Sequence, residues 1–189
     1  YLMSKLGEDE YLFRGSLYYD GTAAKPNYEK SRKYFQLALK KQSWKAFYHL
    51  GLMYIEGKGV SQNYIKAKEY FELGAEKNDS NSLFMLGYIY NYHECPFKDF
   101  KKSLKYYERS AELNNSSALC VLGNIYITGD GVTKDINKGL KYIVRSAQLK
   151  NSNALCYLGY IYYSGEIVNK NYSKAKKYFE ISIISGNNK

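Results

Sequence analysis

The side chains that could perform catalysis or bind a metal are few in this sequence. The chain has two histidines, His49 and His93, and three cysteines, Cys95, Cys120 and Cys156. In the run His93-Glu94-Cys95 three metal-ligating residues adjoin, but a zinc site needs three or four ligands at defined spacing. A cysteine nucleophile needs a histidine base beside it, and Cys120 and Cys156 lie well beyond His93 in the chain. We therefore expect no enzyme, no metal site and no cofactor.

Two glycine-rich segments could be mistaken for phosphate-binding loops. They read Gly57-Lys58-Gly59-Val60 and Gly129-Asp130-Gly131-Val132. A phosphate loop follows a strand and ends in Lys-Ser or Lys-Thr, and neither segment has these features. Both segments are instead typical of turns between helices.

The elements that hold these residues repeat along the chain. Glycine recurs every 36 residues, and tyrosine, lysine and a second tyrosine recur in the same register. A period of 20 to 50 residues is the signature of a repeat array, in which each unit buries its apolar face against its neighbours. The four columns are Gly15, Gly51, Gly87, Gly123 and Gly159; Tyr18, Tyr54, Tyr90, Tyr126 and Tyr162; Lys30, Lys66, Lys102, Lys138 and Lys174; and Tyr34, Tyr70, Tyr106, Tyr142 and Tyr178.

A helix is predicted to begin after each member of a further column, which holds asparagine or aspartate: Asn27, Asn63, Asp99, Asp135 and Asn171. The short side-chain oxygen of these residues accepts an unpaired backbone N–H at a helix N-terminus. Apolar residues at helical spacing before and after that column, such as Leu50 and Tyr54 or Ala67 and Phe71, predict two amphipathic helices in each repeat. The sequence therefore predicts an all-α chain of helical hairpins.

The recurring glycine lies within the first predicted helix of each repeat, where it costs about 1 kcal/mol relative to alanine. Close packing against the second helix would account for it. The candidate facing positions are small in every repeat, and they are Ala38, Gly74, Ser110, Ser146 and Ser182. We expect each glycine to lie against the small residue of its own repeat.

These residues resemble the Sel-one-like repeats (SLR), relatives of the tetratricopeptide repeat. The family reads Ala-x-x-x-Leu-Gly-x-x-Tyr, a Gly-x-Gly-Val loop, Asp or Asn, Lys-Ala, an aromatic pair and two small residues, a pattern present from Ala46 to Ala75. The resemblance implies a right-handed α/α solenoid of about five 36-residue helix-turn-helix repeats in one domain over residues 1–189. The expected repeats are 8–43, 44–79, 80–115, 116–151 and 152–187.

The two ends of the array differ. Glu10 and Arg14 replace the alanine and leucine of the repeat pattern, as expected of a polar terminal cap. At the other end Ile181, Ile183 and Ile184 close the sequence without an evident capping helix. We therefore expect the chain to be a segment of a longer protein.

By resemblance to tetratricopeptide arrays, the first helix of each hairpin is expected to line a concave groove. Its residues are aromatic or carry amides, and they are nearly uncharged. The expected groove residues are Tyr19, Tyr48, Leu52, Asn81, Phe84, Tyr88, Tyr92, Asn124, Asn153, Tyr160 and Tyr163, and the same columns also hold Cys120, Ile127 and Cys156. Aromatic side chains anchor protein partners, and amides pair with a bound peptide backbone.

These features favour a non-catalytic adaptor that binds a peptide, helix or loop of another protein. A regulatory module of a larger protein, such as a kinase or a secreted effector, is the first alternative. The net charge of +10, from 28 basic and 18 acidic residues, leaves a binder of nucleic acid or anionic lipid as the second, although the basic residues lie mainly on the second helices. The cysteine pattern favours the cytoplasm, with export left open.

Overall fold

The computed structural model describes residues 7–22, 25–92, 96 and 98–187, and within these ranges it contains ten α-helices and no strand. The first helices of the five repeats are α1 (Glu8–Asp20), α3 (Ala46–Glu56), α5 (Ser80–Asn91), α7 (Ser116–Thr128) and α9 (Ser152–Ser164). The second helices are α2 (Tyr28–Lys40), α4 (Tyr64–Glu76), α6 (Phe100–Glu112), α8 (Ile136–Gln148) and α10 (Tyr172–Asn187). The predicted all-α class is confirmed.

The helices fall into two compact units, residues 1–98 and 99–189. In the first unit each helix from α1 to α5 packs on the next, and α3 also touches α5. Its core includes the fully buried Phe35, Leu50 and Met53. In the second unit the same succession runs from α6 to α10, around a core that includes Ile143 and Ile161. The third repeat contributes α5 to the first unit and α6 to the second.

Each second helix begins at the predicted capping residue. The side chains of Asn27, Asn63, Asp99, Asp135 and Asn171 all accept a hydrogen bond from the backbone N–H three residues later, at 2.9–3.1 Å. A second set of caps, Asp79, Asn115 and Asn151, does the same at the start of α5, α7 and α9. These side chains fix the register in which each hairpin begins.

Gly15, Gly51, Gly123 and Gly159 face a large side chain of the second helix rather than the small residue, so that part of the sequence interpretation is wrong. A methyl group at Gly51 would lie 2.5 Å from Cε1 of Phe71, and one at Gly159 would lie 2.7 Å from Cδ1 of Phe179. Gly15 faces the ring of Phe35 in the same way. The missing side chain therefore makes room for a large side chain of the second helix, which is an aromatic ring in these three repeats and Ile143 opposite Gly123.

The column of small residues packs elsewhere. Ser146 and Ser182 donate hydrogen bonds from Oγ to the backbone oxygens of Ser116 and Ser152, at 2.6 and 2.8 Å. Each acceptor is the first residue of the first helix of the same repeat. The serines therefore tie the end of a hairpin's second helix to the start of its first.

The tyrosine and lysine columns form one recurring stack. The two tyrosine rings of a hairpin lie 5.6–6.0 Å apart and within 17° of parallel, in the pairs Tyr18–Tyr34, Tyr54–Tyr70, Tyr126–Tyr142 and Tyr162–Tyr178. The ammonium of the column lysine lies over the first ring of each pair, 3.8–5.6 Å from its centroid. The ammonium charge and the quadrupole of the ring attract one another. The lysine and the two tyrosines therefore help to hold the two helices of the hairpin together.

The ends of the described chain differ as the sequence indicates. On α1, Arg14 Nε donates to Glu10 Oε1 at 2.6 Å, and both side chains are about two-fifths exposed. On α10, Ile183 and Ile184 are exposed, whereas Ile181 is half-buried against the core of the second unit. The polar residues at the start of α1 and two of the isoleucines near the end of α10 are thus open to solvent.

Candidate functional site

The candidate groove consists of the eleven predicted residues, ten on the first helices and Tyr92 directly after α5, and its first-unit members are of two kinds. Asn81 and Tyr88 are exposed, and Tyr19, Tyr48, Leu52, Phe84 and Tyr92 are half-buried. The ring of Tyr48 lies 6.3 Å from that of the core residue Phe71, and burial raises the pKa of the Tyr48 phenol. Tyr48 therefore supports the helix packing as well as the surface.

An aromatic ladder stands at the surface of the first unit. Tyr88 and Tyr92 stack with their ring centroids 5.5 Å apart, and Tyr92 in turn packs on Tyr64 at 5.9 Å. Tyr88 is the member most open to solvent, with 37% of its surface exposed. A rigid tyrosine face of this kind offers a large contact area at little cost in side-chain entropy.

The side chain of Tyr19 already interacts with residues of the second repeat. Its hydroxyl donates a 2.6 Å hydrogen bond to Glu56 Oε2, and the ammonium of Lys58 lies 4.7 Å from its ring centroid. Burial, followed by the Glu56 hydrogen bond, raises the pKa of the Tyr19 phenol well above its usual range. The hydrogen bond to Glu56 likewise raises the pKa of Lys58. This end of the candidate groove is therefore closed by the second repeat.

The second unit presents its groove residues more openly. Asn124, Asn153, Tyr160 and Tyr163 are all exposed, and the two tyrosines have 50% and 56% of their surface open to solvent. Ile127 does not belong to this surface, because only 6% of it is exposed and it packs in the core with Ile143. The assignment of Ile127 to the groove columns is therefore wrong.

The two described cysteines of these columns are free thiols. Cys156 is exposed, whereas Cys120 is half-buried and burial raises the pKa of its thiol. A raised pKa leaves a thiol protonated and unreactive near neutral pH. The burial of Cys120 therefore disfavours its thiolate form.

Sequence reasoning missed one set of residues, namely those that directly follow each cap. Three of its members contact aromatic groove residues: Tyr28 contacts Tyr19, Tyr64 contacts Tyr92, and Tyr172 contacts Tyr163. The signal was present as one more column of the repeat, Tyr28, Tyr64, Phe100, Ile136 and Tyr172. The first residue of each second helix thus extends the candidate groove.

Most of the basic residues of the second unit lie on its second helices. Residues 99–189 hold 14 basic and 7 acidic residues, so they carry +7 of the total +10. Arg145 uses Nε and Nη2 to donate to Asn114 Oδ1, at 3.1 and 2.5 Å. The exposed members on these helices are Lys101, Lys102, Lys105, Arg109, Lys141, Arg145, Lys174, Lys176 and Lys177. They form a solvated basic surface apart from the groove residues, which lie on the first helices.

In the part of the chain that the structure describes, neither a metal site nor a membrane-spanning helix is found. Within those ranges no three His, Cys, Asp or Glu side chains come together in a way that could hold a metal ion. His93, Glu94 and Cys95, the metal-like run in the sequence, lie outside the described residues. None of the described helices combines the length and apolar character needed to cross a bilayer.

Capped hairpins, a mid-helix glycine beneath a large side chain and recurrent lysine–tyrosine–tyrosine stacks define an all-α repeat protein of the solenoid class. The chain belongs to the Sel1 repeat family, whose model matches residues 3–43, 45–79, 80–115, 116–151 and 152–187. This match confirms the resemblance drawn from the sequence. Members of the family generally act as protein-interaction modules on a non-catalytic scaffold.

Solved structures agree with this assignment. A Sel1 repeat protein from Oxalobacter formigenes is 28% identical, with a TM-score of 0.81 over 96% of this chain and 74% of its own. The protein c5321, a protective antigen of uropathogenic Escherichia coli with an SLR fold, is 27% identical with a TM-score of 0.74. The match covers 95% of this chain and 38% of c5321. The immunity protein Pa5087 from Pseudomonas aeruginosa shares the fold at 22% identity and a TM-score of 0.69, over 95% of this chain and 70% of its own. No curated protein matches the sequence.

Proposed function

We propose that the chain is a non-catalytic adaptor that binds a peptide, helix or loop of a partner protein on the exposed faces of its first helices. The observation that carries this proposal is the exposure of tyrosines and amides in the same columns of both units. Tyr88, Asn124, Asn153 and Tyr160 are all exposed, and exposed aromatic side chains that recur on successive helices are typical of an interaction surface. Tyrosines at the centre of an interface commonly carry much of its binding energy.

The experiment compares partner capture by the wild-type chain with capture by the variant Tyr88→Ala, Asn124→Ala, Tyr160→Ala. These three side chains are exposed, so their removal leaves the core intact. Loss of two aromatic anchors is expected to weaken capture by about tenfold or more, since each anchor contributes about 1 kcal/mol or more. Capture is measured as the amount of each protein retained from a lysate of the cells that make this chain.

A matched control removes exposed apolar side chains that lie outside the candidate groove. Ile65 on α4 and Val144 on α8 have 57% and 42% of their surface exposed, and Ile65→Ala, Val144→Ala should capture partners as the wild type does. Equal capture by the groove variant and the wild type, with both folded by circular dichroism, would refute the groove proposal.

The first alternative, a regulatory module within a larger protein, would use the same surface and so predicts the same result. A polyanion binder is the second alternative, supported by the excess of basic residues in 99–189. Its binding would fall steeply between low and physiological salt, and it would ignore the groove variant. The free thiols of Cys120 and Cys156 further support a reducing compartment such as the cytoplasm.

A further inference from the structure

Two second helices of the second unit carry pairs of like charges at helical spacing. Lys105 and Arg109 lie four residues apart on α6, and Lys141 and Arg145 lie four residues apart on α8. All four residues are exposed, and residues at this spacing are neighbours on one face of a helix. Like charges at this spacing destabilise a helix. The same unfavourable pair thus occurs in two successive repeats.

The helix dipole accounts for only one member of each pair. Arg109 and Arg145 lie in the last turns of α6 and α8, where a positive charge is favourable. Lys105 and Lys141 lie in the middle of these helices, and the effect of the dipole is confined to the first and last turns. Helix stability therefore does not explain the two lysines.

Acidic side chains on the second helices of this unit do not balance the charge. The helices α6, α8 and α10 hold 10 basic and 3 acidic residues, a net charge of +7, and α8 holds no acidic residue. Of the three carboxylates, Glu108 accepts a hydrogen bond from the Tyr126 hydroxyl at 3.3 Å, and Glu180 lies 3.9 Å from the ammonium of Lys176. The third, Glu112, is exposed on α6 three residues after Arg109. The surface keeps a large excess of positive charge.

The general abundance of lysine in this chain does not account for the pairs. The equivalent positions of the first unit hold Lys33 and Leu37 on α2 and Glu69 and Leu73 on α4. The chain has only four arginines, and two of them are Arg109 and Arg145, one repeat apart in the same column. The pairs are thus a feature of the second unit alone.

Exposed aliphatic residues adjoin the basic pairs. Leu113 and Leu149 come four residues after the arginines, at the ends of α6 and α8, and each has 44% of its surface exposed. Arg145 reaches the end of α6, because its Nε and Nη2 donate to Oδ1 of Asn114, the residue after Leu113. The aromatic residues of α6 and α8 are buried or half-buried. This face therefore combines cations with aliphatic side chains.

We propose that this face, the basic surface of α6 and α8, binds an acidic segment of a partner protein in which aspartate or glutamate alternates with leucine or another aliphatic residue. Its members are Lys105, Arg109, Leu113, Lys141, Arg145 and Leu149. The proposal goes beyond the adaptor function proposed above, because the groove residues lie on or beside the first helices, whereas these residues lie on or beside the second.

The chemistry of the surface matches such a segment. Carboxylates would replace the repulsion within each pair by attraction, and arginine binds a carboxylate through two parallel hydrogen bonds. The leucines offer contacts to aliphatic side chains, which a sugar–phosphate chain lacks. Single-stranded nucleic acid stacks its bases on exposed aromatic rings, and membrane-surface helices commonly insert tryptophan or phenylalanine. The exposed residues of α6 and α8 include no such ring.

The test adds the capped peptide Glu-Asp-Leu-Glu-Asp-Leu-Glu-Asp to the ¹⁵N-labelled protein at about 50 mM salt, where surface charges are weakly screened. The backbone amide resonances of α6 and α8 should shift saturably, with a Kd of about 1 mM or lower, as expected for a few exposed ion pairs and apolar contacts. The peptide with glutamine and asparagine in place of its acidic residues should bind at least about tenfold more weakly. The peptide with serine in place of leucine should bind about threefold more weakly.

Two variants of equal charge locate the site. The first replaces the four cations of the basic surface, as Lys105→Gln, Arg109→Gln, Lys141→Gln, Arg145→Gln, and should bind the peptide at least about tenfold more weakly. The control replaces four exposed lysines of the first unit, as Lys33→Gln, Lys40→Gln, Lys41→Gln, Lys77→Gln, and should retain the wild-type affinity. Both variants have a net charge of +6, which is 10 − 4, so general attraction between protein and peptide is the same in both.

A single substitution separates binding from folding. Lys141→Glu places opposite charges four residues apart on α8, an arrangement that stabilises a helix. This variant should melt at or slightly above the wild-type temperature and yet bind the peptide several-fold more weakly. Wild-type affinity in Lys141→Glu would overturn the proposal, and so would equal losses in the two charge-matched variants.

Three other outcomes would also overturn it. They are the absence of a saturable shift, equal affinity for the leucine and serine peptides, and tighter binding of a thymidine oligonucleotide of equal charge or of vesicles of phosphatidylcholine and phosphatidylserine. The groove variant Tyr88→Ala, Asn124→Ala, Tyr160→Ala should bind the peptide as the wild type does. If the peptide fails to bind while that variant loses its partner, the basic surface is refuted and the adaptor function stands. If the peptide binds while that variant captures its partner normally, the groove is refuted and the basic surface stands.

Discussion

Replacing Gly51 with alanine adds one methyl group between the two helices of the second hairpin. That methyl group would stand 2.5, 2.7 and 2.8 Å from Cε1, Cζ and Cδ1 of Phe71, whereas ordinary contact begins at 3.4 Å. The ring or the helix must therefore move by about 0.9 Å, the difference between 3.4 and 2.5 Å. Phe71 has 0% of its surface exposed, so its ring cannot turn into solvent.

The net effect combines two opposed terms. Overpacking in a core costs about 1–3 kcal/mol, and three distances below 3.0 Å place this case near the upper value. Alanine has a higher helix propensity than glycine by about 1 kcal/mol. We therefore expect Gly51→Ala to lower the free energy of unfolding by about 2 kcal/mol.

Urea unfolding followed by circular dichroism measures this change, and in thermal unfolding it corresponds to a Tm lower by about 4–8 °C for a chain of this size. Gly186→Ala is the matched control in another helix. A methyl group there comes no nearer than 3.8 Å to Ser152 Cβ, so that variant should be as stable as the wild type or slightly more stable.

A second substitution tests the cause. Phe71→Leu removes the ring that the methyl group strikes, so Gly51→Ala should cost less in that background, with a coupling energy of about 1 kcal/mol. A Gly51→Ala chain as stable as the wild type, or losses that simply add in the double variant, would refute the steric account of the glycine column.

Two other predictions concern pH and capping. Burial against Phe35, whose ring stacks on His49 at 4.6 Å, lowers the pKa of His49, and the charges of Asp20 and Asp79 offset this only in part. As the pH falls, the unfolded chain takes up the proton before the folded chain does, so the contribution of His49 to the free energy of unfolding should be complete above about pH 6.5 and should decrease below it. The urea midpoints of His49→Met should lack that part of the decline. A decline of equal size in the variant would contradict the prediction. Asn63→Ala removes the acceptor of the Lys66 N–H and should cost about 1 kcal/mol in urea unfolding, whereas Ser61→Ala, in the exposed loop, should cost less than about 0.5 kcal/mol.

Much of the fold could be predicted because it depends on local chemistry that repeats. An asparagine or aspartate can cap a helix wherever the next three residues are helical, so Asn27 or Asp135 identifies a helix start without any knowledge of its neighbours. The period then shows which residues are equivalent. Equivalence alone was enough to find the hairpins and to group the surface residues of the first helices.

Partners across a helix interface could not be predicted in the same way. The small residue Gly74 was expected opposite Gly51, but a period does not reveal the rotation of one helix against another, and Phe71 fills the gap instead. Ile127 shares a column with the half-buried Tyr19 and the exposed Tyr163, yet it lies in the core. Closure of the Tyr19–Tyr28 pair depends on Lys58, whose equivalents in later repeats are acidic, so no column indicated it.

The stacked tyrosines can report the local structure of each hairpin through their optical and NMR signals. In four of the hairpins the residues of the two tyrosine columns lie face to face, with the ammonium of the column lysine over one ring of each pair. The ring of one tyrosine shields the protons of the other, so parting the two helices of a hairpin would erase the shielding of that pair and leave the other three as they were. Local opening can thus be watched one repeat at a time, with no added label.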